Sequence, residues 1–256
     1  MDREADTILT NGRIYTVDPA QPWAEAVAIS GGRILAVGSA NDIKAAKGPD
    51  TEVVDLGGRM AMPGFADVHN HIMMGGEAAL FHLQFAPSSS IDEICGYVRG
   101  AAEKAAPGQW IIGNQWGADR MTELNSEASL AKLDAAGLGH PVLLRDETMH
   151  NRWVNSEAMR ISGISDNQPD PPQGAFARDP ATGRLTGLLI EAAAGIVERA
   201  AANDFTEEMG EAAVARAVQI VNSFGVTAFQ DAASVLPILK ALTKLDNKQK
   251  LTAWAV

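Results

Sequence analysis

The segment Pro63-Gly64-Phe65-Ala66-Asp67-Val68-His69-Asn70-His71 carries the most informative pattern in the chain. Its apolar residues predict a β-strand, and on a strand the side chains two positions apart point to the same side. His69 and His71 are therefore expected to project two imidazoles together from the end of that strand. Neutral imidazole nitrogens bind Zn²⁺ well, but a catalytic zinc site needs at least one further ligand from elsewhere. On spacing alone, a metal site and a pair of loop histidines without metal are equally good interpretations.

The residues before this segment predict a small antiparallel β-sheet. Short runs of aliphatic and β-branched residues are separated by the turn dipeptides Asn11-Gly12, Gly31-Gly32 and Gly57-Gly58. Connections this short favour neighbouring antiparallel strands over βαβ units, which need a long crossover. We therefore expect residues 1–59 to form a separate N-terminal β domain.

The residues from about position 60 onward predict an α/β domain instead. The expected strands lie at 60–68, 110–116, 141–144, 226–229 and 251–256. The expected helices begin near Ser90, Ser126, Asn155, Thr206 and Val235. Strands that alternate with helices favour a parallel sheet, and an α/β barrel is the leading candidate for residues 60–256. Five strands do not close an eight-stranded barrel, so we expect only its first five, interrupted by an irregular insertion at about 151–205.

The composition excludes several classes of protein. Hydrophobic residues make up 46% and charged residues 21% of the chain, which is the balance of an ordinary globular protein and not of a disordered chain or a membrane bundle. The formal net charge of -11 makes nucleic acid and anionic membranes poor partners. The single cysteine, Cys95, cannot form an internal disulfide, which favours a reducing compartment such as the cytoplasm.

Several motifs together resemble a known family. Residues 63–71 resemble the strand-1 metal motif of the amidohydrolase superfamily, P-G-[FL]-x-D-x-H-x-H, which supplies two metal-binding histidines. The resemblance extends over nearly the whole chain and is closest to the YtcJ-type branch, the amidohydrolase 3 family. Six further segments carry it, at residues 8–14, 29–38, 53–59, 150–156, 186–191 and 224–227.

The resemblance implies a composite β-sandwich, to which residues 1–59 contribute the N-terminal part, followed by a distorted (β/α)8 barrel. It implies one or two divalent metals, with zinc the first choice, at the mouth of the barrel, and His69 and His71 among the ligands. Such a metal makes a bound water acidic and polarises a carbonyl group, so that an amide-type C–N bond in a small molecule is hydrolysed. In the superfamily the remaining ligand histidines and a catalytic aspartate come from later barrel strands. This sequence does not include them, so it is expected to be the N-terminal half of a longer hydrolase.

Three further residues are candidates for the site. Glu191 follows a predicted strand and could bind the metal, or it could be a first-turn glutamate favoured by the helix dipole. His150 follows the strand at 141–144 and could act in catalysis by donating to a substrate carbonyl oxygen. Asp231 ends the strand at 226–229 and could bind metal or cap the next helix. His82 is expected in packing or on the surface, and His140 in a loop.

Two other functional interpretations stay open. The chain could be an incomplete or split half without turnover of its own, which the missing barrel strands favour. An exposed strand edge at 251–256 would then invite pairing with a partner chain or a second copy, or aggregation. A His-x-His iron oxygenase is the third possibility. Such sites usually lie in antiparallel β-barrels, so the helix-rich second part of the sequence argues against it.

Overall fold

The computed structural model describes residues 4–202 and 205–256. The chain divides into two compact units, Met1–Ala66 and Asp67–Val256. None of the helices in the described ranges is long and apolar enough to cross a membrane.

The first unit contains two small sheets. Its elements are β1 (Ala5–Thr10), β2 (Arg13–Tyr15), β3 (Trp23–Ala24), β4 (Ala26–Ser30), β5 (Arg33–Gly38), α1 (Ala40–Lys44), β6 (Lys47–Asp55) and β7 (Met60–Ala61). The strand orders are β5-β4-β1-β6 and β3-β2-β7. Gly31 and Gly32 both have positive φ, at 59° and 70°, and form the predicted tight turn of an antiparallel hairpin between β4 and β5.

The first unit differs from a simple antiparallel meander in its other pairings. β1 pairs with β6 in parallel, and β2 pairs with β7 in parallel. The turn at Asn11-Gly12 does not close a hairpin, because β1 and β2 lie in different sheets. Asn11 Nδ2 donates to Asp55 Oδ1 at 2.7 Å, which ties this turn to the end of β6.

The second unit alternates strands and helices along the chain. Its strands are β8 (Phe65–Asn70, beginning at the boundary), β9 (Leu83–Gln84), β10 (Ile111–Trp116), β11 (Val142–Asp146), β12 (Arg152–Val154), β13 (Gly174–Arg178), β14 (Leu185–Glu191), β15 (Val226–Asp231) and β16 (Trp254–Ala255). Its α-helices are α2 (Ile72–Phe81), α3 (Ile91–Ala102), α4 (Met121–Leu124), α5 (Glu127–Gly137), α6 (Ser156–Ile161), α7 (Ala194–Ala201), α8 (Glu207–Ser223) and α9 (Leu236–Asn247). A 3₁₀ turn at Ala118–Arg120 precedes α4.

The capping signals in the sequence mark the helix starts correctly. Ser90 and Glu93 form a capping box at the predicted helix start, in which the Ser90 side chain accepts from the Glu93 backbone and the Glu93 carboxylate accepts from the Ser90 backbone. Ser126, Asn155 and Thr206 likewise accept backbone N–H groups in the first turns of α5, α6 and α8.

The strands expected in one barrel are divided between two sheets. One sheet has the order β16-β15-β8, and the other has the order β13-β14-β12-β11-β10-β9. The strands predicted at 110–116 and 141–144 therefore pair with each other and not with β8 or β15. Within the described residues the second unit is mixed α/β, and neither sheet closes into a barrel.

The physical reason for this division is β12, which lies in the stretch expected to be irregular. β12 pairs antiparallel with β11 and with β14, so that the hairpin of β13 and β14 continues the sheet of β9, β10 and β11. In the chain this whole sheet lies between α2 and α8.

The helices α2 and α8 pack closely at a glycine. A Cβ on Gly76 of α2 would lie 1.8 Å from the carbonyl oxygen of Ala213 in α8, so no larger residue fits there without moving a helix. Ile72 and Met73 of α2 join Val214 of α8 in one buried apolar cluster. This packing fixes the start of α2, which directly follows the paired histidines.

Candidate functional site

The two histidines of the opening motif lie side by side at the end of β8. Their ring centroids are 5.5 Å apart and the ring planes meet at 79°. Both residues are exposed, and within the described residues their ring nitrogens make no hydrogen bond. Within the described residues, the two exposed rings are therefore not engaged in hydrogen bonds that would compete with a metal.

The two histidines are suitable zinc ligands, but two protein ligands are too few for a catalytic zinc site. Two imidazoles are common zinc ligands, and a catalytic site keeps three protein ligands and one open position. Among residues 4–202 and 205–256, no group of three or more His, Cys, Asp or Glu side chains is close enough to hold a metal ion. Metal binding by His69 and His71 stays a prediction. A third protein ligand would have to come from a residue that does not lie beside them in the described ranges.

Asp231 fixes the backbone around the histidines. Its Oδ2 accepts from the backbone N–H of Ile72 at 2.9 Å, and its Oδ1 accepts from that of Ala233 at 2.9 Å. Ala232 in turn donates to the carbonyl of Asn70 at 2.8 Å. The buried carboxylate of Asp231 thus satisfies the first N–H of α2 and holds the end of β8 against the end of β15.

His150 and Glu191 are brought together by the structure. His150 Nδ1 lies 3.0 Å from Glu191 Oε2, and both side chains are more than half exposed. Glu191 is the last residue of β14, and α7 begins only at Ala194, so Glu191 is not a first-turn helix residue. Because the carboxylate accepts, Nδ1 of His150 carries the proton in this pair. The predicted roles of both residues stay predictions.

A cavity of about 480 Å³ lies between α2 and the six-stranded sheet. We call it the polar cavity. The polar and charged residues of its lining that are discussed below are His71, Glu77, Asn114, Arg145, Arg152 and Glu198. It therefore shares His71 with the histidine pair and adds several charged groups that the sequence did not single out.

Glu198 is the centre of an ion-pair network in this cavity. Arg145 donates from Nε to Oε1 at 2.8 Å and from Nη2 to Oε2 at 2.9 Å, and Arg152 Nε also donates to Oε1. Burial alone would raise the pKa of Glu198, but the hydrogen bonds and charges of the two arginines outweigh it and hold that pKa at about 2. Glu198 is therefore ionised at neutral pH.

His82 belongs to the same network, which corrects the expectation that it serves only in packing or on the surface. Its Nδ1 lies 3.1 Å from Arg145 Nη1 and 3.2 Å from Asn114 Nδ2. Both neighbours are donors, so Nδ1 must be the unprotonated acceptor and the proton must be on Nε2. Burial, together with the charge of Arg145, lowers the pKa of His82 to about 4.

This environment predicts the titration of His82. In the folded protein the His82 ring should stay neutral until about pH 4, whereas in the urea-unfolded chain it should protonate near its ordinary value of 6.5. Because the folded state disfavours the charged ring, the stability that neutral His82 contributes above pH 6.5 should be lost as the pH falls from 6.5 towards 4. Two-dimensional NMR of the imidazole nitrogens measures both the midpoint and the tautomer. A midpoint above 6, or a proton on Nδ1, would contradict the hydrogen bonding described here.

Glu77 was missed by sequence reasoning. It is the one charged residue of α2, it lines the polar cavity, and its carboxylate makes no hydrogen bond to any residue in the described ranges. Burial raises the pKa of Glu77, and repulsion by Glu198 adds to this while the charge of Arg145 opposes it. The feature of the sequence that could have identified Glu77 is its position as the single carboxylate of an otherwise uncharged helix, six positions after His71.

Comparison with known proteins shows which protein family the chain is related to. The model of the amidohydrolase family matches residues 52–255. N-substituted formamide deformylase from Arthrobacter pascens is 33% identical over 87% of this chain and 40% of its own length. The putative amidohydrolase YtcJ from Bacillus subtilis is 34% identical over 74% of this chain and 35% of its own length.

A solved structure has the same fold over almost the whole chain. It is an uncharacterized metal-dependent hydrolase from Pyrococcus furiosus, which is 22% identical, with a TM-score of 0.71 over 97% of this chain and 49% of that chain. The chain thus spans about two fifths of the curated relatives named above and about half of this structure. It belongs to the amidohydrolase family, as the sequence motifs indicated.

Proposed function

We propose that this chain is part of a metal-dependent hydrolase that cleaves an amide-type C–N bond, other than a peptide backbone bond, in a small molecule. The observation that carries the proposal is the exposed pair of His69 and His71 at the end of β8, in a chain of the amidohydrolase family. Under this proposal β8, β15 and β16 are strands of an incomplete (β/α)8 barrel. Residues 1–59 would contribute the N-terminal part of a composite β-sandwich.

His69 and His71 would hold a divalent metal, with zinc the first choice, in a site of one or two ions. Glu191 is also proposed as a ligand; in the described residues its carboxylate accepts from His150 and does not lie in one group with the two histidines, so it would have to move to join them. When bound, such a metal lowers the pKa of a bound water and polarises the carbonyl group of the substrate. This chemistry is consistent with the imidazole donors present, and the missing ligands would come from the part of the relatives that this chain does not span.

The residues of this chain would position the reacting groups. Asp231 holds the backbone at Ile72 and so fixes where the two histidines leave β8. Glu191 orients the ring of His150 by accepting from Nδ1. The neutral ring then offers a lone pair at Nε2, and the protonated ring offers an N–H there that can donate to a substrate carbonyl oxygen.

A second candidate function is an incomplete or split half that needs a partner chain, or a second copy, for activity. It is favoured by the exposed end of the three-stranded sheet, where Trp254 is 76% and Val256 is 79% exposed. The chain also spans only 40% of the formamide deformylase. In this case the histidine pair would complete its ligand set only when the remaining barrel strands are supplied.

The experiment is a hydrolysis assay with zinc-loaded protein and a panel of N-substituted formamides, the compound class named for one relative. Amine release should require zinc, should be lost in His69→Ala and should persist in His140→Ala, a matched histidine outside the site. Turnover that is independent of zinc and of His69 would contradict the metal-dependent mechanism. Sedimentation of the same samples decides between the two candidates, because an active monomer would rule out the incomplete half.

A further inference from the structure

Two arginines lie directly opposite each other on neighbouring strands beside the polar cavity. Arg145 on β11 and Arg152 on β12 are register partners in an antiparallel pair, so their side chains leave the same face of the sheet. Their side chains are only 11% and 9% exposed. Like charges directly opposite each other are destabilising, and more so when buried, so this pair requires negative charge nearby.

Glu198 supplies one negative charge for the two guanidinium groups. Arg145 uses all three of its nitrogens, two on Glu198 and one on His82. Arg152 uses Nε on Glu198 and Nη1 on the backbone carbonyls of Met149 and Asn151. Its Nη2 makes no hydrogen bond to any residue in the described ranges, and Arg152 lines the polar cavity. One nitrogen of a buried guanidinium is therefore left without an acceptor beside a cavity.

We propose that the polar cavity binds the carboxylate group of a small molecule through Arg152. An N–H of a guanidinium group forms a strong, charge-assisted hydrogen bond with a carboxylate oxygen, and Nη2 is the nitrogen of Arg152 left to make one. Glu198 and the carbonyl oxygens of Met149 and Asn151 hold the guanidinium plane of Arg152 in place, so Nη2 is already oriented. The cavity volume of about 480 Å³ is in the range of small-molecule sites.

Glu77 controls how strongly the cavity attracts an anion. It lines the cavity and carries a second negative charge there, but it is not hydrogen-bonded to either arginine within the described residues. His82 contributes no charge, because it is the acceptor for Arg145 and Asn114. A bound carboxylate is thus attracted by Arg152 and repelled by Glu77. Removing the charge of Glu77 should strengthen binding.

His71 lines the same cavity, so a ligand held by Arg152 would share the cavity with one of the proposed metal ligands. The carboxylate site itself does not depend on the metal.

The test uses the metal-free chain and two matched probes, N-acetylglycine and its uncharged amide, N-acetylglycinamide. Binding is followed by the ¹⁵N shifts of the arginine Nε–H groups. N-acetylglycine should shift the Arg152 signal with saturation, and N-acetylglycinamide should not. Arg152→Gln should weaken N-acetylglycine binding at least about tenfold, since it removes a charge-assisted pair. Arg184→Gln removes an exposed arginine that pairs with Glu127 and should leave binding unchanged.

The variant Glu77→Gln keeps the proposal testable if Arg152→Gln does not fold. It should bind N-acetylglycine at least about threefold more tightly, because a like charge in a half-buried cavity is removed. Equal binding of the two probes, or weaker binding by Glu77→Gln, would overturn the site. Failure of zinc binding would leave this measurement unaffected.

Discussion

Glu198→Ala should destabilise the second unit by about 3–5 kcal/mol, because removing one partner of a buried ion pair leaves the other charge uncompensated. Two buried charges lose their partner in this variant, since Arg145 and Arg152 both form an ion pair with the Glu198 carboxylate. Equilibrium unfolding in urea measures the effect as a drop in the denaturation midpoint with little change in slope.

The matched control is Glu123→Ala. Glu123 forms a more exposed pair with Arg120 at 3.4 Å, and an exposed pair of this kind contributes about 1 kcal/mol or less. Since the pKa of Glu198 is held at about 2, below the ordinary 4.5, the stability it contributes is present above pH 4.5 and is lost as the pH falls towards 2. If Glu198→Ala and Glu123→Ala unfold at the same urea concentration, the network does not stabilise the fold.

His69→Ala should weaken zinc binding by at least about 100-fold, because the loss of even an outer partner of a metal ligand costs about 10–100-fold. His71→Ala should have a similar effect, since the two rings lie together and are expected to bind one ion. Competition against a chromogenic chelator measures the affinity. His140→Ala is the control, because His140 Nδ1 lies 3.1 Å from the carbonyl of Gln109, in a loop away from the pair. Equal affinities for all three variants would contradict binding at His69 and His71.

Local signals in the sequence predicted local structure well. The starts of α3, α5, α6 and α8 follow from Ser90, Ser126, Asn155 and Thr206, because each cap forms within four residues. The hairpin at Gly31-Gly32 follows for the same reason. The pairing of His69 with His71 was likewise predictable, since it depends only on the alternation of side chains along a strand.

The division into two sheets was not predictable from such signals. Arg152, Trp153 and Val154 of β12 are all buried, so this strand shows none of the alternation of apolar and polar residues that marks a half-exposed strand. An arginine at its start also makes it resemble a loop. Only its pairing with β11 and β14, which is a long-range property, assigns it to the sheet.

The polar cavity escaped sequence reasoning because its members are far apart in the chain. Glu77 lies on α2, Arg145 and Arg152 lie on adjacent strands, and Glu198 lies on α7, 53 positions after Arg145. No short motif connects them. Their common role follows from the sheet register and from the packing of two helices against it, neither of which a single sequence specifies by pattern.

The most direct test of the account is an anomalous difference map at the zinc absorption edge, from crystals of this chain grown with zinc. The account predicts a peak that both His69 and His71 coordinate through ring nitrogens, at about 2.0–2.1 Å. A map with zinc only at other residues, or with the two rings turned apart and no peak between them, would contradict the proposed metal site.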